Sequence, residues 1–160
     1  MKRSKLIQSN KRNQKEEGEE EVSQEIPIIT VTEDEQTRIV GLYGAVEEEK
    51  CAAVISVLYH MRALGKRQEP VNEEEPEGEM RSVIDPIEFI ISTEGGLVSD
   101  MFSVYDVMRD IMRDCEISTF GLGKVMSAGV ILLAAGTPGK RRVGKHCRLM
   151  LHPISSGNYG

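Results

Sequence analysis

Ile87-Glu88-Phe89-Ile90-Ile91-Ser92, followed by Thr93-Glu94-Gly95-Gly96, decides the fold. A short apolar run rich in β-branched residues that stops at paired glycines reads as a buried strand entering a turn. From Ser99 to Arg113 the apolar residues change spacing: Met101, Val104, Tyr105, Met108, Ile111 and Met112 lie on one face of a helix. Working outward, Arg38-Ile39-Val40-Gly41-Leu42-Tyr43-Gly44 is a second short strand. After it, Val54, Val57, Leu58, Met61 and Leu64 mark a helix over Glu47–Leu64. Glu47, Glu48 and Glu49 fall in its first turn, where the helix dipole favours anions. Downstream, Ile117 to Phe120 is a strand followed by Gly121-Leu122-Gly123. An apolar helix over Ser127–Ala135 is expected to stop at Gly136 in the left-handed conformation. Arg148-Leu149-Met150-Leu151-His152 is the last strand. Strands alternating with helices predict an α/β fold, a mostly parallel sheet with flanking helices. Sites in such folds gather at the carboxyl ends of strands, where Gly95, Gly96, Ser127 and His152 all fall.

The composition narrows the setting. The 160 residues carry 20 Lys+Arg against 26 Asp+Glu, a net charge of −6, with 4% aromatics, a poor balance for a nucleic-acid binder. No apolar run approaches the ~18 residues of a membrane span. The basic start Met1-Lys2-Arg3 leads into no apolar signal core. Cys51, Cys115 and Cys147 are odd in number and widely spaced, which argues for a reducing compartment. The expectation is a soluble cytoplasmic protein with no membrane or nucleic-acid partner. Residues 1–25, with six Lys/Arg followed by six Glu, read as a charged, disordered tail ahead of a domain over 26–160. Residues 66–85, bearing Glu69, Glu73, Glu74, Glu75, Glu77 and Glu79 with Pro70, Pro76 and Gly78, read as an exposed acidic insertion.

Ser127 follows a strand and a glycine-rich turn and opens an apolar helix, where free N–H groups and the positive helix end stabilise an oxyanion. Serine is also a preferred N-cap, and capping alone explains its presence. His152 closes a strand 25 residues later, ahead of Pro153, placed to take the serine proton or to serve structure only. Gly95-Gly96 offers a backbone donor and close approach for an extended peptide, or a plain tight turn. Competing motifs fail. Val125 stands where Gly-x-Ser-x-Gly needs glycine. Val125 and Ser118 break a P-loop, and Met126 breaks a dinucleotide fingerprint. His146, Cys147 and His152 lack metal-ligand spacing, so no metal or other cofactor is expected. Lys140-Arg141-Arg142 with Lys145 and Arg148 reads as a solvated or carboxylate-paired cluster.

Ile91-Ser92-Thr93-Glu94-Gly95-Gly96 with Tyr105-Asp106-Val107-Met108 resembles a segment of the Clp protease proteolytic subunit (ClpP) family. Gly123-Lys124-Val125-Met126-Ser127-Ala128-Gly129, Leu132-Leu133-Ala134-Ala135-Gly136 and Gly139-Lys140-Arg141 resemble that family's serine segment. Arg148-Leu149-Met150-Leu151-His152-Pro153 and Gly157-Asn158-Tyr159-Gly160 resemble its histidine and glycine-rich segments. The resemblance implies a ClpP/crotonase-like fold and a serine endopeptidase, with Ser127 the nucleophile and His152 the general base. It implies an oxyanion hole from the N–H groups of Gly96 and Ala128. Extended polypeptide substrates would be held by Gly95 and by the segment containing Ser155, Ser156 and Gly157. It further implies a homo-oligomeric ring fed by an AAA+ unfoldase.

The chain departs from the family pattern at Glu94, where Pro is usual, and at Lys124, where Gln is usual. The charged tail and the acidic insertion are further departures. No Asp follows His152, and Asp106, Asp110 and Asp114 are poor substitutes for a triad acid whose loss costs serine proteases on the order of 10⁴ in turnover. The expectation is a piece of a longer active peptidase whose acid lies past Gly160. Alternatives within the fold are a viral head-maturation or signal-peptide-peptidase-like protease, a non-catalytic ring subunit, and a crotonase-type acyl-CoA enzyme.

Overall fold

A computed structural model describes residues 38–153. The first strand, β1 (Ile39–Val46), leads into α1 (Glu48–Leu64). A hairpin of β2 (Lys66–Pro70) and β3 (Met80–Ile84) follows. Then come β4 (Ile87–Gly96), α2 (Val98–Ile111), β5 (Ile117–Met126) and α3 (Ala128–Ala135). Two short strands, β6 (Arg141–Val143) and β7 (Arg148–Met150), end the described chain. In the main sheet β4 lies between β1 and β5, and β6 and β7 pair one after the other along the far edge of β5. Every pairing in that sheet is parallel.

Period-two patterning turns one face of the sheet inward. Ile87, Phe89, Ile91 and Thr93 of β4 are buried, while Glu88, Ile90 and Ser92 on the opposite face are only partly covered. The two longer helices meet the sheet or each other through stripes at spacings of three, four and three. In α1 the stripe is Cys51, Val54, Leu58 and Met61. In α2 it is Met101, Val104, Met108 and Ile111. Full burial of each Leu, Ile or Phe in this core contributes roughly 1.5–3 kcal/mol. The helices are also tied by charge, since Arg62 reaches Asp114 at 2.7 and 3.0 Å and Asp110 at 3.2 Å. Hydrogen bonding from Arg62 holds the Asp114 carboxyl below its ordinary range.

The acidic stretch after α1 forms the antiparallel β2–β3 hairpin, whose connecting residues 71–79 are all exposed. Glu69 pairs with Arg67 along its own strand and with Arg81 across the hairpin. Arg38 secures its base, donating to the carbonyls of Asp85 at 2.7 Å, Pro86 at 3.1 Å and Met61 at 2.8 Å. Residues 1–37 lie outside the described residues, and with them the expected tail.

Several sequence expectations need correction. β4 extends through Gly96 and β5 runs on to Met126, so Gly95-Gly96 and Gly121-Leu122-Gly123 are strand segments rather than turns. Positive φ at Gly95 (95°) and Gly123 (60°) accommodates irregular pairing inside the ladders. The last strand stops at Met150 instead of His152, and β6 was hidden because a three-residue strand in a charged run has no readable period. Gly136 does not stop α3 in the left-handed conformation, for its φ is −59°. A Cβ there would press on the Thr119 side chain, so the glycine serves close approach.

Candidate active site

The local chain makes Ser127 conspicuous. It joins β5 directly to α3 with φ 51° and ψ −122°, and it is the only non-glycine among the described residues with positive φ. A residue with a Cβ pays strain in that region, and such strain clusters at working sites. Its hydroxyl makes no capping hydrogen bond. Its carbonyl accepts from the Val130 N–H at 3.0 Å, which starts the helix without the side chain. Ordinary capping therefore does not account for this serine. Ala128, the first residue of α3, presents an N–H that has no partner within the helix.

The end of β4 is fitted against this junction. A Cβ on Gly95 would lie 2.7 Å from Ser127 Cβ, 3.0 Å from the Met126 carbonyl oxygen and 3.2 Å from Ser127 Oγ. Only glycine lets the strand pass so close. Its N–H donates to Thr93 Oγ1 at 2.9 Å, and Thr93 is wholly buried, so the turn of the backbone is held from beneath. Gly96 is exposed and backs onto Val46, whose carbonyl oxygen a Cβ would strike. The next residue, Leu97, donates to the same Val46 carbonyl at 2.9 Å. The glycine pair is thus wedged between the end of β1 and the serine.

His152 reaches the neighbourhood through β7. The register sets Val125 beside Leu149 and Met126 beside Met150, and the Ser127 N–H donates to the Met150 carbonyl at 2.8 Å. His152 is two residues beyond that bond, with an exposed ring. Its Nδ1 lies 2.7 Å from the Pro153 carbonyl oxygen. A carbonyl only accepts, so this contact requires the proton on Nδ1 and leaves Nε2 as the basic nitrogen.

Ser127, Gly95, Gly96 and Ala128 are thus gathered at one sheet end, and His152 lies two residues past the end of β7, the strand bonded to the serine backbone. Ser155, Ser156 and Gly157 lie outside the described residues. Among the described residues no group of three or more His, Cys, Asp or Glu is placed to hold a metal. Two features escaped the sequence reading: the backbone conformation of Ser127, and an ion pair at 2.9 Å between Glu94 Oε2 and Lys124 Nζ. A signal for the second was present, since both residues depart from the pattern and carry opposite charge.

Comparison with known proteins shows likeness over part of the chain. Residues 79–160 match the family model described as Clp protease. A 71-residue stretch is 41% identical to ATP-dependent Clp protease proteolytic subunit 2 of Corynebacterium efficiens, covering 44% of this chain and 35% of that protein. A 74-residue stretch is 36% identical to the subunit of the same name from Chlamydia pneumoniae, covering 46% and 36%. The matched stretch spans about a third of the length of these curated relatives. The ClpP protease catalytic domain from Plasmodium falciparum has a similar fold, with a TM-score of 0.56 at 24% identity over 72% of this chain and 55% of that one.

Proposed function

The chain belongs to the Clp protease family, and from that premise we propose that it is a serine endopeptidase subunit that cleaves polypeptides through an acyl-enzyme on Ser127. Ser127 Oγ adds to the scissile carbonyl while His152 Nε2 accepts its proton. The N–H groups of Gly96 and Ala128 receive the negative charge that develops on the carbonyl oxygen. Collapse of this adduct breaks the C–N bond, and the imidazolium returns its proton to the leaving amine. Water then attacks the ester, with His152 acting again as base, and releases the acid product and the free serine.

The observation that carries this reading is the backbone of Ser127, strained, uncapped and touching Gly95. The residue is half-buried at the junction of strand and helix, and its hydroxyl is not spent on capping. The Nδ1 contact with Pro153 supports the base role, since it selects the tautomer the reaction needs. Polypeptide substrates, with Gly95 and the 155–157 segment as their main-chain contacts, complete the reading. So do a homo-oligomeric ring, a partner AAA+ unfoldase and a cytoplasmic setting. No helix among the described residues is long and apolar enough to cross a membrane.

A fluorophosphonate probe tests the assignment. The protein should be labelled on Ser127, and Ser127→Ala should abolish the labelling. Equal labelling of the variant would overturn it.

A further inference from the structure

Between Ile91 and Thr93, β4 advances two residues while its partner β5 advances four, from Gly121 to Val125. Three residues, Leu122-Gly123-Lys124, thus stand opposite the single residue Ser92, a bulge that ends three residues before the serine, with Gly123 at φ 60°. The regular hydrogen bonds that would fix β5 against β4 are thus interrupted where the two site-bearing strand ends must be held together. Lys124 Nζ crosses this gap to Glu94 Oε2 at 2.9 Å.

We propose that the Glu94–Lys124 ion pair is a positioning strut, holding the β4 end that carries Gly95 and Gly96 in place against the β5 end that carries Ser127. This rests on reading Ser127 as nucleophile and Gly96 as oxyanion donor. Glu94 is covalently next to Gly95, and Lys124 is three residues before Ser127, so a shift in either side chain reaches the site within one turn of chain. The Lys124 hydrogen bond holds the Glu94 carboxyl below its ordinary range, with a smaller contribution from Lys50. Lys50 itself pairs with Glu47 at 2.6 Å, so the charges alternate along the rim. Both members of the strut are about half exposed, 49% and 50%. Exposed pairs add little to global stability, so the role is geometric. The two departures from the family pattern thus meet in one contact. Where the usual Pro restricts its own backbone before the glycine pair, this chain uses a side-chain tie.

The experiment compares Glu94→Gln, Lys124→Gln and the double charge swap Glu94→Lys with Lys124→Glu. Amide hydrogen exchange is read at Leu97 and Ser127, whose N–H groups bond to Val46 and Met150. Fluorophosphonate labelling rate and melting temperature are read alongside. Each single variant should melt within roughly 2 °C of the parent. Exchange at the two amides should quicken, labelling should slow by about tenfold or more, and the swap should recover both. Unchanged exchange in both single variants, or a swap as impaired as they are, overturns the strut. Failure of the parent to label counts instead against Ser127 as nucleophile, and exchange still decides the strut.

Discussion

At the scale of single residues the site is built from exceptions to ordinary backbone preference. Ser127 occupies a conformation suited to glycine, and Gly95 occupies one that a side chain would both strain and overfill. The two respond in opposite ways to substitution. Ser127→Gly relieves the strain and should raise stability by about 1 kcal/mol or somewhat less, while removing all probe labelling. Urea denaturation beside active-site titration checks it. Gly95→Ala should cost about 2 kcal/mol or more and abolish labelling, because the methyl must displace Ser127 Cβ or the Met126 carbonyl. A stable, fully labelled Gly95→Ala protein would show that the close approach is dispensable.

At the scale of elements, one side chain organises the departure of the chain from the helix layer. Arg38 binds carbonyls at the end of α1 and at the exit of the hairpin, and its guanidinium lies against Gly65 where a Cβ would intrude. Cys115 Sγ also donates to the Asp85 carbonyl, at 3.4 Å. Arg38→Ala removes the shared donor and should destabilise the protein by about 2 kcal/mol. Limited proteolysis should then cut first within 66–85, before the sheet is attacked. Across the hairpin Arg81 pairs with Glu69, an exposed ion pair that carries little stability.

At the scale of the whole molecule, the three helices and the inward face of the sheet make one core that encloses Cys51 and Cys115. Burial, and then the Asp100 charge, push the Cys51 thiol up to about 11 from an ordinary 9.0, and burial raises Cys115 too. Unfolding frees both to ionise. The unfolded chain therefore loses protons above pH 9 that the folded chain keeps, and stability should fall as pH climbs from about 9 toward 11. Urea midpoints at pH 8 and pH 10 measure this, and Cys51→Ala should flatten the alkaline slope. The opposite sheet face is more open, with Ile39 and Tyr43 exposed and Arg142 set 4.7 Å from the Phe120 ring centroid while pairing with Glu88.

Much of this arrangement was written in the order of residues. Strand alternation in Ile87–Ile91 and the three–four–three stripes of α1 and α2 reflect local periodicity, which burial on one face imposes directly. Ser127, Gly95, Gly96 and His152 could also be picked out as candidates, because residue types at strand ends are visible in sequence. How the ladder passes a glycine was not visible. Gly95 and Gly123 looked like turns, yet the backbone continues through them because neighbouring strands supply the hydrogen bonds that a local reading cannot count. Likewise Gly136 looked like a left-handed stop, when its lack of a side chain answers to Thr119 on β5, 17 residues earlier.

The amino-acid order alone determined the alternation of elements, their inward faces and the family pattern, since each depends on chemistry within a few neighbouring positions. The tertiary structure alone decided that Ser127 is strained and uncapped, that Gly95 touches it, and that Glu94 meets Lys124 across a break in register. Those facts arise from segments some thirty residues apart being pressed together, and close packing sets their backbone angles and partners.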